Sequence, residues 1–123
     1  MFRPIEPVEM NFLTSVSAAE VRRVIVERLR AQGGKITSDG AQKIVATFGS
    51  SFKMRLLGLT LAGPQVFPRE AVIKLEDVDG ETRVTIKVRD AAGFGSRLGY
   101  TKGLEMMMQQ QALAIKAAFP DAH

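Results

Sequence analysis

The chain has 123 residues and no cysteine, and it contains a single histidine and a single tyrosine. The missing cysteine excludes disulfides, thiolate metal sites, iron–sulfur clusters and a cysteine nucleophile. The one histidine is His123, the last residue of the sequence, where we expect the chain to fray, so a nucleophilic triad lacks a positioned base. We therefore predict a protein that is not an enzyme and that uses no cofactor and no bound metal.

Long apolar runs are absent as well. No stretch approaches the ~20 apolar residues that cross a bilayer, so we expect no transmembrane segment. The first ten residues carry two prolines and two glutamates, which is not typical of a signal peptide. We therefore predict a cytoplasmic protein. The formal charge of +4 is a mild excess and a weak argument for nucleic acid.

The sequence does contain a regular alternation of apolar and polar residues in four stretches, 42–48, 52–57, 71–78 and 82–89. Successive side chains of a strand point to opposite faces, so a period of two predicts a sheet that is buried on one side and wet on the other. The alternate positions on the wet side are mostly charged and mostly basic. The positions predicted to face the core are Ile44, Ala46, Phe48, Phe52, Met54, Leu56, Ala71, Ile73, Leu75, Val84, Ile86 and Val88.

Two turns set the register of these stretches. Asp79-Gly80 is the strongest short hairpin signal, because both central residues of such a turn need positive φ. A hairpin there places Glu76 opposite Arg83 and apolar residues opposite each other. For the earlier turn we predict a three-residue connection, 49–51, that keeps the apolar residues on one face. The pairs expected from it are Phe48–Phe52, Ala46–Met54 and Ile44–Leu56.

The remaining elements are a first strand and two helices. After an extended lead-in at 1–9, residues 10–16 alternate as a strand, and Ser17 with Glu20 has the spacing of a capping box for a helix over 18–32. Gly33-Gly34 ends that helix, and 35–38 is either a short strand or the start of the next one, broken at Asp39-Gly40. A last helix over about 100–119 stops at Pro120. We predict one α+β domain, residues 1–123, with a curved antiparallel sheet and both helices on its apolar face.

This order of elements resembles the β-α-β4-α arrangement shared by three groups of proteins. They are the repeat of the TATA-binding protein, the small carboxy-terminal domain of phosphohexomutases and the helix-grip lipid carriers of the START and plant-allergen group. The resemblance lies in the order of elements along nearly the whole chain and implies that fold class, whereas fold alone does not determine function. The arginine-serine-glycine motif of the phosphohexomutase domain has no counterpart, since Gly95-Ser96-Arg97 runs in another order.

The wet sheet face is the first candidate site. Lys43, Lys53, Arg55, Lys74 and Lys87 lack obvious partners there. Such a face can contact an acidic protein, anionic lipid, nucleic acid or another subunit. The alternative is a solvated face whose charges prevent aggregation.

A glycine-rich loop before the last helix is the second candidate. Its backbone amides, with Arg97 or Lys102 nearby, suit an anion at a helix N-terminus. Alternatively, the glycines only let the chain turn. The residues of this candidate are Gly93, Gly95, Ser96, Arg97 and Lys102.

An unusually apolar loop at 58–68 and a run of methionines form the third candidate. They can pack in the core, cover it as a lid, insert into a membrane, join a second subunit in a homo-oligomer or line an apolar pocket. The residues are Leu59, Leu61, Val66, Phe67, Met106, Met107 and Met108. Our leading hypothesis is a non-catalytic binding or assembly module that uses the basic sheet face. The alternative is a carrier of a small apolar ligand between the sheet and the last helix.

Overall fold

Five strands and two helices make up the part of the chain that the computed structural model describes: residues 7–49, 69–90 and 101–123, without the side chains of residues 90, 101, 102 and 104. In chain order they are β1 (Val8–Thr14), α1 (Ala18–Ala31), β2 (Lys35–Asp39), β3 (Lys43–Phe48), β4 (Arg69–Val78), β5 (Glu81–Asp90) and α2 (Thr101–Lys116). The strands form one open antiparallel sheet in the order β1-β5-β4-β3-β2. The predicted α+β class with an antiparallel sheet and two helices is confirmed.

The hairpin between β4 and β5 has the predicted register. Asp79 and Gly80 have φ values of 52° and 84°, so both central residues lie in the left-handed region that this turn requires. Val78 is opposite Glu81, and Glu76 is opposite Arg83. The turn geometry therefore sets ten consecutive pairs along two ten-residue strands.

The neighbours of β3 differ from the prediction. One edge of β3 pairs with β4, with Ile44 opposite Ile73 and Ala46 opposite Ala71, and its other edge pairs with β2. Because both hydrogen-bonding edges of β3 are used, the predicted partners Phe52, Met54 and Leu56 are wrong. Residues 52–57 themselves lie outside the described residues. The short strand predicted at 35–38 is present as β2 and completes the four strands described between the helices.

The first strand begins earlier than predicted. It runs from Val8 to Thr14 beside β5, so Val8 and Glu9 belong to the sheet rather than to a lead-in. Residues 1–6 lie outside the described range. The side chains of Phe12 and Thr14 are buried, and Glu9 and Asn11 face the opposite side. β1 therefore extends both faces of the sheet by one strand.

Helix α1 begins at the predicted cap. Ser17 is extended, with φ −61° and ψ 152°, and its hydroxyl accepts from the amide of Glu20 at 3.4 Å. The Glu20 carboxylate binds Arg23 instead of reaching back to the cap, so only half of the predicted capping box forms. The hydrogen bonds from Arg23 hold the pKa of Glu20 below its ordinary value.

The C-terminal end of α1 is closed by two glycines. Gly33 has a φ of 87°, and the amides of Gly33 and Gly34 donate to the carbonyls of Arg30 and Leu29. This pattern is a Schellman motif, which satisfies carbonyls at the end of the helix. A Cβ on Gly34 would lie 2.7 Å from ring atoms of Phe48, so the chain turns here in close contact with β3.

Both helices cover the same side of the sheet, which we call the core face. Its strand residues alternate as predicted, and the described members of the predicted apolar set are all buried. Val21, Ile25 and Leu29 of α1 pack against it, as do Met108, Ala112 and Ile115 of α2. Within the described residues, neither helix is long and apolar enough to cross a membrane.

The segment after α2 returns to β1. The ring of Phe119 lies 5.6 Å from that of Phe12, and the Asp121 carboxylate accepts hydrogen bonds from the Thr14 hydroxyl and from the amide and hydroxyl of Ser15. These bonds, led by the Ser15 hydroxyl, lower the pKa of Asp121 from 3.8 to about 2. The segment is thus bound to the end of β1.

His123 is held in place by backbone hydrogen bonds. Its carbonyl accepts from the amide of Leu13 at 2.9 Å, and its amide donates to the carbonyl of Leu13 at 3.1 Å. The ring Nε2 lies 3.4 Å from a carboxylate oxygen of Glu81. The expectation that His123 frays is therefore wrong.

Candidate functional site

The side of the sheet away from the helices, which we call the outer face, is lined by alternate residues of all five strands. Its charged rows follow directly from the strand register. The cationic residues on this face are Lys35, Lys43, Lys74, Arg83, Lys87 and Arg89, and the acidic residues are Glu9, Glu70, Glu76 and Glu81.

A shallow depression of about 380 Å³ lies in the middle of the outer face. Half-buried Val72 and Thr85 contribute to its lining, and the other lining residues are charged. The charged residues are Lys43, Lys74, Lys87, Arg89, Glu9 and Glu70. The depression therefore combines an apolar and a hydroxyl side chain with a ring of charges, most of them positive.

Two of the arginines on the outer face are paired with carboxylates. Arg89 and Glu70 are directly opposite on β5 and β4, and an Nη atom lies 2.8 Å from the carboxylate. Arg83 and Glu76 are opposite each other three outer-face rows away, with an N–O distance of 3.8 Å. The Glu76–Arg83 pair was predicted from the hairpin register. The charges of both pairs are largely satisfied within the sheet.

The three lysines in the depression are not paired in this way. Lys43, Lys74 and Lys87 are exposed, and in the described part of the chain no carboxylate lies within 4.0 Å of their ammonium groups. Lys43 and Lys74 are directly opposite each other on β3 and β4. Glu9 is the cross-strand neighbour of Lys87 on β1 but forms no ion pair with it. The structure therefore brings these three predicted residues together on one surface.

The other residues of the predicted basic face and of the glycine-rich loop are not placed. Lys53 and Arg55 lie outside the described residues, and so do Gly93, Gly95, Ser96 and Arg97. Lys102 lies in the first turn of α2, and its side chain is outside the described part. Leu59, Leu61, Val66 and Phe67 also fall outside it.

The three methionines of α2 do not share one environment. Met108 is fully buried in the core, Met107 packs partly against the core, and Met106 is 56 % exposed. Consecutive residues of a helix point about 100° apart, which separates them. Leu113 of the same helix is exposed as well.

A buried arginine was missed in the sequence. Arg69, the first residue of β4, is buried; its Nε donates to Gln111 of α2 at 3.2 Å, and its guanidinium lies 5.3 Å from the centre of the Phe48 ring. Burial lowers the pKa of Arg69. Arg69 lies two residues before Ala71 and four before Ile73, which both face the core. The same alternation, continued to the first residue of β4, therefore indicates that the Arg69 side chain also faces the core.

Gln32 continues the hydrogen bonds of this cluster. Its side-chain amide donates to the carbonyl of Gln111, and the Gln111 amide donates back to the Gln32 side chain at 3.1 Å. The Arg69 guanidinium is thus part of a network that ties α1, β4 and α2 together. This arrangement is typical of a structural polar cluster at the edge of a core.

Metal ligands are not clustered in the described part of the chain. Within residues 7–49, 69–90 and 101–123, no three side chains of His, Asp or Glu lie close enough to hold a metal ion. The arrangement that stands out in this part of the chain is electrostatic: unpaired ammonium groups beside a depression. No family model matches the chain, and no curated protein sequence matches it.

Proposed function

We propose that this protein is a small non-catalytic binding module that holds an anionic partner on the outer face of its sheet. The observation that carries the proposal is the position of Lys43, Lys74 and Lys87, which face solvent together without a carboxylate partner in the described part of the chain. Clustered cations attract anions and raise their local concentration.

The layout of the fold supports this use of the outer face. Both helices pack on the core face, so the outer face is the open side of the sheet where it is described. Lys43, Lys74 and Lys87 lie on the central strands β3, β4 and β5, and strands hold side chains more precisely than loops do. The surface is therefore open, rigid and locally positive.

Retention on a heparin column with a salt gradient tests the proposal. We expect the double variant Lys43→Glu, Lys74→Glu to elute at clearly lower salt than the wild type, because it loses two positive charges and gains two negative ones at the site. The matched control is Arg28→Glu, Arg30→Glu on α1, where both arginines are exposed on the helix side. Equal shifts in the two variants would show that only net charge matters and would overturn the proposal.

The carrier hypothesis places an apolar ligand between the sheet and α2. In the described part of that interface, Met108, Ala112 and Ile115 are fully buried against the sheet, and Phe119 is 3 % exposed. Direct packing of this kind favours the outer face over the helix side as the binding surface. A copurifying lipid in native mass spectrometry would support the carrier instead.

Three narrower predictions accompany the proposal. We propose a cytoplasmic location, a relation of the fold to the TATA-binding-protein and helix-grip arrangement, and a homo-oligomer through residues 58–68. The order of one strand, one helix, four strands and one helix in the described part supports the second of them. Sedimentation of the full chain tests the third.

A further inference from the structure

The strand register places the three lysines of the depression within reach of one small group. The amide of Leu75 donates to the carbonyl of Gln42 at 2.8 Å, so the next pair, Lys43 and Lys74, is a non-hydrogen-bonded pair of the antiparallel ladder. Side chains are closer in such pairs than in hydrogen-bonded ones. Lys87 is the diagonal neighbour of Lys74 on β5. Diagonal neighbours on adjacent strands lie about 7 to 8 Å apart.

The Lys43–Lys74 pair places two like charges directly opposite each other, unlike the other charged pairs on this face. Like charges directly opposite each other on adjacent strands are destabilising. Two other rows of β4 place a carboxylate opposite an arginine, namely Glu70–Arg89 and Glu76–Arg83. Real proteins break such local rules mainly at functional sites. An anion between Lys43 and Lys74 would remove the repulsion.

The size and lining of the depression suit a compact anion on a small molecule. Its volume of about 380 Å³ falls in the usual range of small-molecule sites, roughly 300 to 1,000 Å³. A phosphate ester carries about −1.5 to −2 charges at neutral pH, and lysine binds phosphate as a point charge. Thr85, opposite Lys74, adds a hydroxyl that can donate to a phosphate oxygen.

The surroundings of the depression disfavour an extended polyanion. Glu9 and Glu70 lie in its lining, and a phosphate backbone that continued past the lysines would meet their carboxylates. The described strands carry no aromatic side chain on the outer face, and single-stranded nucleic acid is usually bound by stacking on aromatics. One compact anionic group therefore fits better than a chain of them.

We infer that Lys43, Lys74 and Lys87 form a binding site for the phosphate group of a small soluble phosphate ester. This inference rests on the proposed function and narrows its anionic partner to one chemical class. The ammonium groups supply the charge, Thr85 a hydroxyl contact, and Val72 an apolar surface for the rest of the ligand.

Titration of the full chain with pyrophosphate, followed by amide chemical shifts, tests the inference. We expect saturable shifts at residues around Lys43, Lys74, Thr85 and Lys87, and a dissociation constant at least tenfold weaker in Lys74→Gln, the effect of losing one charge-assisted contact. The control Arg30→Gln on α1 leaves the dissociation constant unchanged. Shifts that do not saturate, or equal weakening in both variants, would overturn the inference.

The stability of the free variant separates a binding role from a structural one. Because Lys74→Gln removes the repulsion with Lys43, its melting temperature without ligand should equal or exceed that of the wild type. At the same concentration, pyrophosphate should raise the melting temperature of the wild type more than that of the variant. A variant that melts earlier and still binds pyrophosphate would show that Lys74 is structural.

The heparin experiment distinguishes failure of this inference from failure of the proposed function. If heparin retention depends on Lys43 and Lys74 but pyrophosphate does not bind, the small-ligand inference is wrong and the proposed anion-binding role of the outer face stands. If neither probe depends on these lysines, both are wrong. Binding to vesicles of anionic phospholipid without binding to pyrophosphate would assign the face to a membrane surface and also overturn the small-ligand inference.

Discussion

On the core face of the sheet, three successive rows of β4 and β5 are apolar pairs, such as Ile73 with Ile86, whereas on the outer face two rows of the same strands place a carboxylate opposite an arginine. The core face is covered by two helices and its central residues are fully buried. The outer face faces water, and its charges are paired in some rows and unpaired in others. One face thus stabilises the fold, and the other carries the exposed charged side chains of the described strands.

The largest difference between the two faces should appear in the free energy of unfolding when one residue on each face is replaced by alanine. Ile86→Ala, at a fully buried site of β5, is expected to lower the free energy of unfolding by about 2 to 5 kcal/mol, because it leaves a cavity. Lys87→Ala, the next residue on the outer face, should change it by less than about 0.5 kcal/mol. Urea unfolding measures both, and similar losses would contradict the assignment of faces.

The close packing of the end of α1 against β3, at the edge of the core face, can be tested at Gly34. Gly34→Ala should cost about 1 to 3 kcal/mol, since its Cβ would overlap the ring of Phe48 and approach the carbonyl of Leu29. Gly103→Ala in α2 is the control, because a Cβ there meets nothing within 4 Å among the described atoms and alanine favours a helix. If both variants were equally stable, α1 would not end against β3.

A pH titration tests the hydrogen bonds that Asp121 accepts from Thr14 and Ser15 at the end of β1. The folded protein lowers the pKa of Asp121 from 3.8 to about 2, so its bonds to Thr14 and Ser15 stabilise the fold above about pH 4. This contribution is lost as the pH falls from about 4 through about 2. The variant Asp121→Asn should therefore melt below the wild type at pH 6, and the gap should narrow towards pH 2. A gap that does not change with pH would contradict an ionised carboxylate here.

The smallest expected effect concerns the outer face alone. Lys74→Glu replaces repulsion with Lys43 by attraction and should raise the free energy of unfolding by about 0.2 to 1 kcal/mol. Raising the salt concentration should reduce this gain, because exposed charges are screened. Lys35→Glu, opposite Thr47, is the matched control, because it makes the same change of charge without removing a like pair. If Lys74→Glu destabilises the protein at low salt, the two lysines do not repel each other.

Local signals in the sequence predicted much of the fold. Asp79-Gly80 determines the β4–β5 register because its backbone geometry admits few alternatives, and Ser17 and Gly33 mark the ends of α1 for the same reason. The pairing of β3 with β4 was not predictable in this way. The two strands are separated by residues 49–68, and alternation reveals which face a residue occupies but not which strand lies beside it.

Because alternation does not reveal which strands are neighbours, parts of the candidate site were not predicted either. The period of two placed Lys43, Lys74 and Lys87 on one face, yet the predicted strand at 52–57 stood between the first two. Their position directly opposite each other on adjacent strands follows only from the observed β3–β4 pairing. Glu9 was missed because the register of β1 against β5 depends on no local turn.

The strand order also has a kinetic consequence. β1 is the first described strand and pairs with β5, so Val8 meets Val88, whereas β4 and β5 are joined by two residues. Closing a long loop is slow and costs more entropy than closing a hairpin. We therefore expect the hairpin to be formed in the folding transition state and β1 to dock after it. Shortening Phe12 should then speed unfolding while leaving the refolding rate nearly unchanged.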